Sequence, residues 1–409
     1  MTDPTAAFLG FLIFIGMMAL GLHVAFAMFA IGVAGAWVYL DWPMLMQFGT
    51  QFWGATNKFE LTAIPLFVLL GELLVRGGFT DRMYRALSGW LCGLPGGLLH
   101  TNIGASAMFA AVSGSSVATC ATIGSVALPA FQNRGYDERL VLGTIAAGAT
   151  LGILIPPSIN MIIYGAMTNT SVGRLYLAGF VPGLLLALLF MLLIIALCWL
   201  RPAFAGAREK RPPFLVLLRS LADLIVPIVI FIVVMGSIYA GWATPTESAA
   251  LGVVVSLLLV AGAGRLSFRT LHECFVATVS VTSMIMLISA SAFFLNFILG
   301  VMGLPQALAS FVAELGVSSL VLIAILTVFY LILGCFLDSL AMVIGTIPIV
   351  FPLISAVQID PVWFGIFLVI MAELALITPP VGMNLYVVQG IRGRGSVSDV
   401  VYGTMPFLL

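Results

Sequence analysis

Long apolar runs separated by short polar ones dominate the chain; residues 8–22, 181–200 and 221–239 carry almost no charge. Runs of this length lack the alternation of membrane-barrel strands and match the roughly 20 apolar residues of a bilayer-crossing helix. The pattern predicts spans at about 5–22, 24–40, 59–76, 139–168, 172–200, 221–240, 244–263, 271–299, 362–390 and from 396 onward. Two more apolar stretches, 96–131 and 319–354, are about 35 residues long, and each is interrupted near its middle. The first centre is Ser113-Gly114-Ser115-Ser116, the second Asp338-Ser339. A polar centre would be costly facing lipid and cheap facing a cavity, so each stretch reads as a re-entrant hairpin in preference to two thin spans.

Composition agrees. Hydrophobic residues make up 62% of the 409 and charged residues 8%, where soluble domains average about 25% charged. This excludes a soluble fold and predicts an all-α polytopic membrane protein. Net charge is zero with no long basic run, so no nucleic-acid partner is expected. The N-terminus lacks the basic segment of a cleavable signal, which makes the first run a retained span. Five cysteines form no CxxC pair and read as buried thiols. His23, His100 and His272 are scattered, arguing against a transition-metal site, and there is no P-loop, HExxH or GxSxG. Neither ATP hydrolysis nor another enzyme activity is expected.

Sliding the chain on itself reveals two copies. A shift of 223 residues aligns Ser115-Ser116 with Asp338-Ser339, Asp137 with Asp360, and Pro156-Pro157 with Pro379-Pro380. A shift of 224 aligns Asn160 with Asn384, Gly179 with Gly403 and Pro182 with Pro406. Each copy reads as three spans, an amphipathic arm, a hairpin, a proline-broken span and a last span. Five crossings per copy turn the second upside down, the inverted-repeat architecture of many secondary transporters. With the N-terminus outside, 14 of the 16 Lys and Arg residues, Arg208 and Lys210 among them, fall on the cytoplasmic side, leaving Lys58 and Arg174 outside. Hairpin 96–131 is then expected to open inward and 319–354 outward. The last span of the second copy should run to about residue 424 and is expected to be cut short at Leu409.

Chemistry concentrates at the interruptions. In GILIPPSINMIIYG (152–165) and ALITPPVGMNLYVVQG (375–390), paired prolines remove donors and open the helix. The freed groups need either neighbouring helices or an ion or polar ligand, and Ser158, Asn160, Thr378 and Asn384 add side-chain oxygens there. At the hairpin tips the second arm begins with free amides suited to an anionic group. The tip carbonyls, with Ser113, Ser115, Ser116 and Asp338, could coordinate Na⁺, or the serines could simply cap helices. Asp338 is a functional candidate because it is ionisable at membrane depth. Glu247 could cap its helix or serve transport; Glu373 could shape an ion site or hydrogen-bond across helices.

The stretches AIPLFVLLGELL (63–74), AAVSGSSVATCATIGSVALP (110–129), GILIPPSINMIIYG (152–165), ATPTESAA (243–250), FLDSLAMVIGTIPIVFP (336–352) and ITPPVGMNLY (377–386) together resemble the large membrane subunit of a tripartite ATP-independent periplasmic (TRAP) transporter. The resemblance covers almost the whole chain. It implies an elevator mechanism in the ion-transporter superfamily fold, Na⁺-coupled uptake of an organic acid across a bacterial inner membrane, and no cofactor beyond Na⁺. It further implies a separate small four-helix membrane subunit and a periplasmic substrate-binding protein. The division it suggests is scaffold in 1–94 and 221–318, transport domain in 95–200 and 319–409, and a cytoplasmic loop at 201–220. Carried over by position, Na⁺ would be held by Ser113, Gly114, Ser115, Ser116 and Pro156, Pro157, Ser158 on one side. On the other, Asp338, Ser339, Thr378, Pro379 and Pro380 would hold it. Substrate would meet Ser116, Thr119, Asn160, Ser339, Met383 and Asn384. The alternative is a stand-alone Na⁺-coupled carboxylate carrier of the same superfamily.

Overall fold

The computed structural model describes residues 4–40, 43–132, 134–206, 211–314 and 316–408; Arg208, Lys210 and Leu409, which enter the charge and chain-end expectations, lie outside them. Helices α1 (Pro4–Ala19), α2 (Val24–Tyr39) and α3 (Pro43–Thr56) lead through a 3-10 turn (Phe59–Thr62) into α4 (Ala63–Arg76) and α5 (Phe79–Leu91). A hairpin follows, α6 (Leu98–Ser113) and α7 (Ser116–Phe131), then α8 (Glu138–Leu154), α9 (Ile159–Thr168) and α10 (Val172–Leu200). Beyond the short α11 (Phe214–Ser220) come α12 (Ala222–Tyr239), α13 (Pro245–Gly262), α14 (Phe268–Val301) and α15 (Leu304–Glu314). The second hairpin is α16 (Ser319–Gly334) and α17 (Ser339–Ala356), followed by α18 (Pro361–Ile377), α19 (Met383–Arg392) and α20 (Val397–Thr404). No strand occurs among the described residues; a lone bridge joins Tyr136 and Ala205.

Among the described residues, six segments are long and apolar enough to cross a bilayer, including Glu138–Thr168, Val172–Leu200 and Phe268–Val301. Burial separates their roles. The most apolar window of Glu138–Thr168 is 100% buried inside the protein and that of Val172–Leu200 only 22%. Thus α8 and α9 form the centre, while α10 turns Leu177, Val181, Leu184 and Leu188 outward, an apolar face suited to lipid.

Segment 43–56, outside every predicted span, forms α3, a helix of 14 residues: Gln47, Thr50 and Gln51 interrupt its hydrophobicity, but the other face packs on α2 and α14. There Phe48 meets the Phe294 ring edge-on, 5.3 Å between centroids. The expected loop 201–220 contains α11, a helix of 7 residues whose Phe214 and Leu215 are exposed. Of the two uses open to Glu247, the structure shows the cap: it closes a capping box with Thr244. Glu72 pairs with Arg76 at 3.2 Å.

The internal repeat extends further than the sequence indicated. Residues 138–154 of α8 map onto 361–377 of α18 at the shift of 223, and their caps Asp137 and Asp360 accept from Leu140 N–H and Trp363 N–H in the same way. The same shift lays α3, the 3-10 turn and α4 along the unbroken α14, whose 34 residues reach about 51 Å at 1.5 Å per residue. In the first copy this helix bends at Lys58, whose Nζ donates to the Ala166 carbonyl and lies 5.0 Å from the Phe293 ring centroid.

Packing between copies is reciprocal. Helix α7 packs on α19 and its counterpart α17 on α9; α10 crosses α18 and its counterpart α20 crosses α8. The crossings need small residues. A Cβ on Gly403 would collide with the Arg139 carbonyl, and one on Gly143 with the Gly403 carbonyl.

Candidate functional site

Each hairpin tip sits against the helix break of its own copy. In the first, Gly114 ends α6 with φ +64, and Ser115 caps α7 by accepting from Ala118 N–H at 3.3 Å. The break runs from Ile155 to Ser158, with a cis bond between Pro156 and Pro157. Ser158 caps α9 through Met161 N–H at 3.4 Å and donates its hydroxyl to the Ile153 carbonyl. Tip and break are joined directly: Ile159 N–H donates to the Gly114 carbonyl at 3.2 Å. A Cβ on Gly114 would lie 2.9 Å from the Pro157 carbonyl oxygen, so the contact admits only glycine.

The second copy repeats the plan with different side chains. Asp338 caps α17 through Ala341 N–H at 3.3 Å. Thr378 donates to the Leu374 carbonyl at 2.6 Å, and Pro379-Pro380 is again cis. The tip–break link recurs as Val381 N–H to the Cys335 carbonyl at 3.2 Å. Tyr386 donates its hydroxyl to the Pro380 carbonyl at 2.9 Å. The residues expected around cations therefore fall into two clusters, 113–116 with 156–158 and 338–339 with 378–380. Each cluster offers carbonyl and hydroxyl oxygens, the donor set a hard cation requires, and no thiolate or imidazole belongs to either. Helix ends add to this: α8 and α18 end at the breaks with their carbonyl ends, and α7, α9, α17 and α19 begin there with their amide ends, some of these groups already taken by the caps and links above. Cation and anion can thus be held side by side.

The copies meet through two residues placed in the expected substrate set. Asn384 Nδ2 donates to Ser116 Oγ at 2.9 Å and to the Ala146 carbonyl at 3.1 Å, and Cys120 Sγ donates to the Asn384 carbonyl at 3.6 Å. Both Ser116 and Asn384 are buried. Thr119, also buried, bridges Ser113 Oγ (3.1 Å) and the Ser115 carbonyl (2.7 Å), which keeps it in the tip. The symmetric counterpart is not equally satisfied. Asn160 is buried at the start of α9, yet its Nδ2 has no partner among the described residues. Ser339 opens α17 and is buried, whereas Met383 opens α19 with its side chain exposed.

Several contributors were not singled out from the sequence. Gly152 lets α8 approach the tip; a Cβ there would lie 2.7 Å from the Ser115 carbonyl and 2.8 Å from Thr119 Oγ1. Cys120, read as an inert thiol, buttresses Asn384. Glu373 is 3% exposed and, among the described residues, neither carboxyl oxygen is hydrogen-bonded, so the reading that it bonds across helices does not hold.

Residues 11–409 match the model of a family described as "Tripartite ATP-independent periplasmic transporter, DctM component". The C4-dicarboxylate TRAP transporter large permease protein DctM of Pseudomonas aeruginosa is 34% identical over 93% of this chain and 89% of its own. The sialic acid TRAP transporter large permease protein SiaM of Vibrio cholerae is 32% identical over 97% of this chain and 92% of its own. The crystal structure of the YdaH transporter of Alcanivorax borkumensis, described as having an unusual topology, superposes with a TM-score of 0.58 over 90% of this chain and 86% of that one. At 15% identity this last likeness concerns the fold alone.

Proposed function

Because the chain belongs to the DctM component family of tripartite ATP-independent periplasmic transporters, we propose that it carries a small organic acid inward across the bacterial inner membrane, driven by Na⁺. The substrates named for two of its relatives, C4-dicarboxylates and sialic acid, are small carboxylates, and that named for another, isethionate, is a small sulfonate. The observation that carries the reading is the pair of matched tip–break junctions, Ile159 to Gly114 and Val381 to Cys335, joined across the copies by Ser116 and Asn384. Na⁺ bound at the carbonyl and hydroxyl oxygens of the junctions would supply positive charge beside the helix N-termini that receive a carboxylate. Neither ion then has to leave water without a counter-charge.

The two copies run antiparallel in the membrane with the N-terminus periplasmic. Residues 95–200 and 319–409 move as an elevator against a scaffold of 1–94 and 221–318, and the last helix of each copy crosses the broken helix of the other. Substrate arrives from a periplasmic binding protein, and a separate small membrane subunit completes the scaffold. The test is uptake of labelled succinate or N-acetylneuraminate into proteoliposomes holding the chain and that subunit, with Na⁺ gradient and binding protein varied independently. Uptake should need both, and Asp338→Ala should abolish it while the protein still inserts. Uptake without a binding protein would identify a stand-alone carrier; uptake indifferent to Na⁺ would defeat the coupling.

A further inference from the structure

One acid in the centre of the molecule has no counter-charge among the described residues. Glu373 lies on α18, five residues before Thr378 and so about 7.5 Å from the break along the helix. It is 3% exposed, and both Oε1 and Oε2 lack hydrogen-bond partners among the described residues. Its sequence neighbours, Ala372, Leu374, Leu376 and Ile377, are apolar. An ionised carboxylate without partner or water in such a place costs far more than folding can supply.

The elements packed on α18 are α8, α9, α10, α16, α17 and α19, and their titratable groups are engaged or at helix ends. Glu138 and Arg139 of α8 and Arg392 of α19 belong to one ionic cluster with Asp399. Arg174 is exposed at the start of α10, and Cys198 lies near that helix's other end. The hydroxyls of Tyr164, Tyr176 and Tyr386 donate to the carbonyls of Pro361, Ser158 and Pro380, and Tyr330 bonds Thr346. Helix α17 carries no titratable side chain; its cap Asp338 is held by Ala341 N–H. Among the described residues, no cation reaches Glu373. A Na⁺ ion is a poor substitute, because it needs several oxygens and this stretch of α18 offers one carboxyl amid apolar side chains.

We propose that Glu373 is a proton-binding site within the moving domain, filled in the closed form and emptied when the α18–α19 break opens to water. The step is Glu373–COO⁻ + H⁺ → Glu373–COOH, with water as the proton source and sink. The exposed side chains of Met383 and Tyr386 mark where the break lies closest to the outside of the protein. The proton then moves with Na⁺ and the organic anion; this rests on the transport reading above. The neutral acid crosses with the loaded domain; the empty domain returns with Glu373 ionised and the α18–α19 break still open, so that water solvates the carboxylate.

Two measurements test the proposal. Infrared difference spectra of the reconstituted protein should contain a protonated-carboxyl band that Glu373→Gln removes and Glu373→Asp shifts. In proteoliposomes Glu373→Gln, a permanent mimic of the neutral acid, should keep exchange of labelled for unlabelled succinate near wild-type rate. Net Na⁺-driven uptake should fall about tenfold, a coupling of ordinary size, and lose its response to an imposed pH gradient. Wild-type net uptake and pH response in Glu373→Gln would overturn the proposal, as would a folded Glu373→Gln without exchange. Should that variant not fold, absence of the band from the wild type overturns it. Wild-type protein with no Na⁺-dependent uptake would instead sink the transport reading, while the band still reports on Glu373.

Discussion

Gly114 and Gly393 offer a matched pair for testing whether a hairpin tip is pressed against a helix break. Both are left-handed C-caps, φ +64 and +66, closing α6 and α19. A Cβ on Gly393 meets nothing within 4 Å, whereas one on Gly114 would lie 2.9 Å from the Pro157 carbonyl oxygen and 3.6 Å from Ile159 N. Alanine at either site bears the left-handed penalty of about 1–2 kcal/mol. At Gly114 two effects are added. Displacing the tip stretches the Ile159–Gly114 hydrogen bond, worth about 1 kcal/mol, and overpacking against fixed backbone costs about 1–3 kcal/mol. Gly114→Ala should therefore be less stable than Gly393→Ala by about 2–4 kcal/mol, the sum of these two effects. Unfolding in mixed micelles, with and without Na⁺, measures the difference, and Gly114→Ala should also lose the stabilisation that Na⁺ confers on Gly393→Ala. Equal stability of the two variants would mean that tip and break are not in contact and would remove the first cation cluster.

Asn384→Ala should destabilise the substrate-free protein by about 2–4 kcal/mol, since it strips partners from Ser116 Oγ and the Ala146 carbonyl in a buried site. Asn160→Ala, which deletes a donor that already lacks a partner, should cost less than about 1 kcal/mol beyond side-chain packing; unfolding midpoints compare the two. Arg392, with its side chain 8% exposed, joins Glu138 and Asp399 at 3.0 and 3.1 Å. Arg392→Ala should destabilise more than Arg139→Ala, because it removes a buried guanidinium from two carboxylates at once, although Glu138 keeps Arg394 and Asp399 keeps Arg139. Arg139→Ala, at 58% exposure on the same Asp399, should stay within about 1 kcal/mol; unfolding across a salt series separates a buried from a screened contribution.

Backbone-level features were legible from sequence because residue type dictates them locally. The paired prolines broke α8–α9 and α18–α19 where expected, since proline lacks the donor a helix needs. The polar centres at 113–116 and 338–339 became tips because serine and aspartate cap helices and Gly114 accepts a left-handed turn. What sequence spacing could not reveal is who faces whom. The asymmetry between Asn384, fully bonded, and Asn160, with a bare Nδ2, depends on packing between copies 224 residues apart. Likewise α3 and α4 look unlike α14 until the shared offset exposes one helix bent at Lys58. The isolation of Glu373 is a property of six surrounding helices, invisible in the apolar sequence around it. Gly152 and Gly403 read as ordinary membrane glycines until their neighbours' carbonyls are seen against them.

The most direct test is a density map of the chain with its membrane partner in Na⁺ and a carboxylate substrate. Ion density should appear in both tip–break clusters, against the carbonyls of 155–157 and 378–380, with the substrate carboxylate at the helix starts beside Ser116 and Asn384. Ions bound away from both breaks, or a substrate lodged outside the seam between the two copies, would contradict the account.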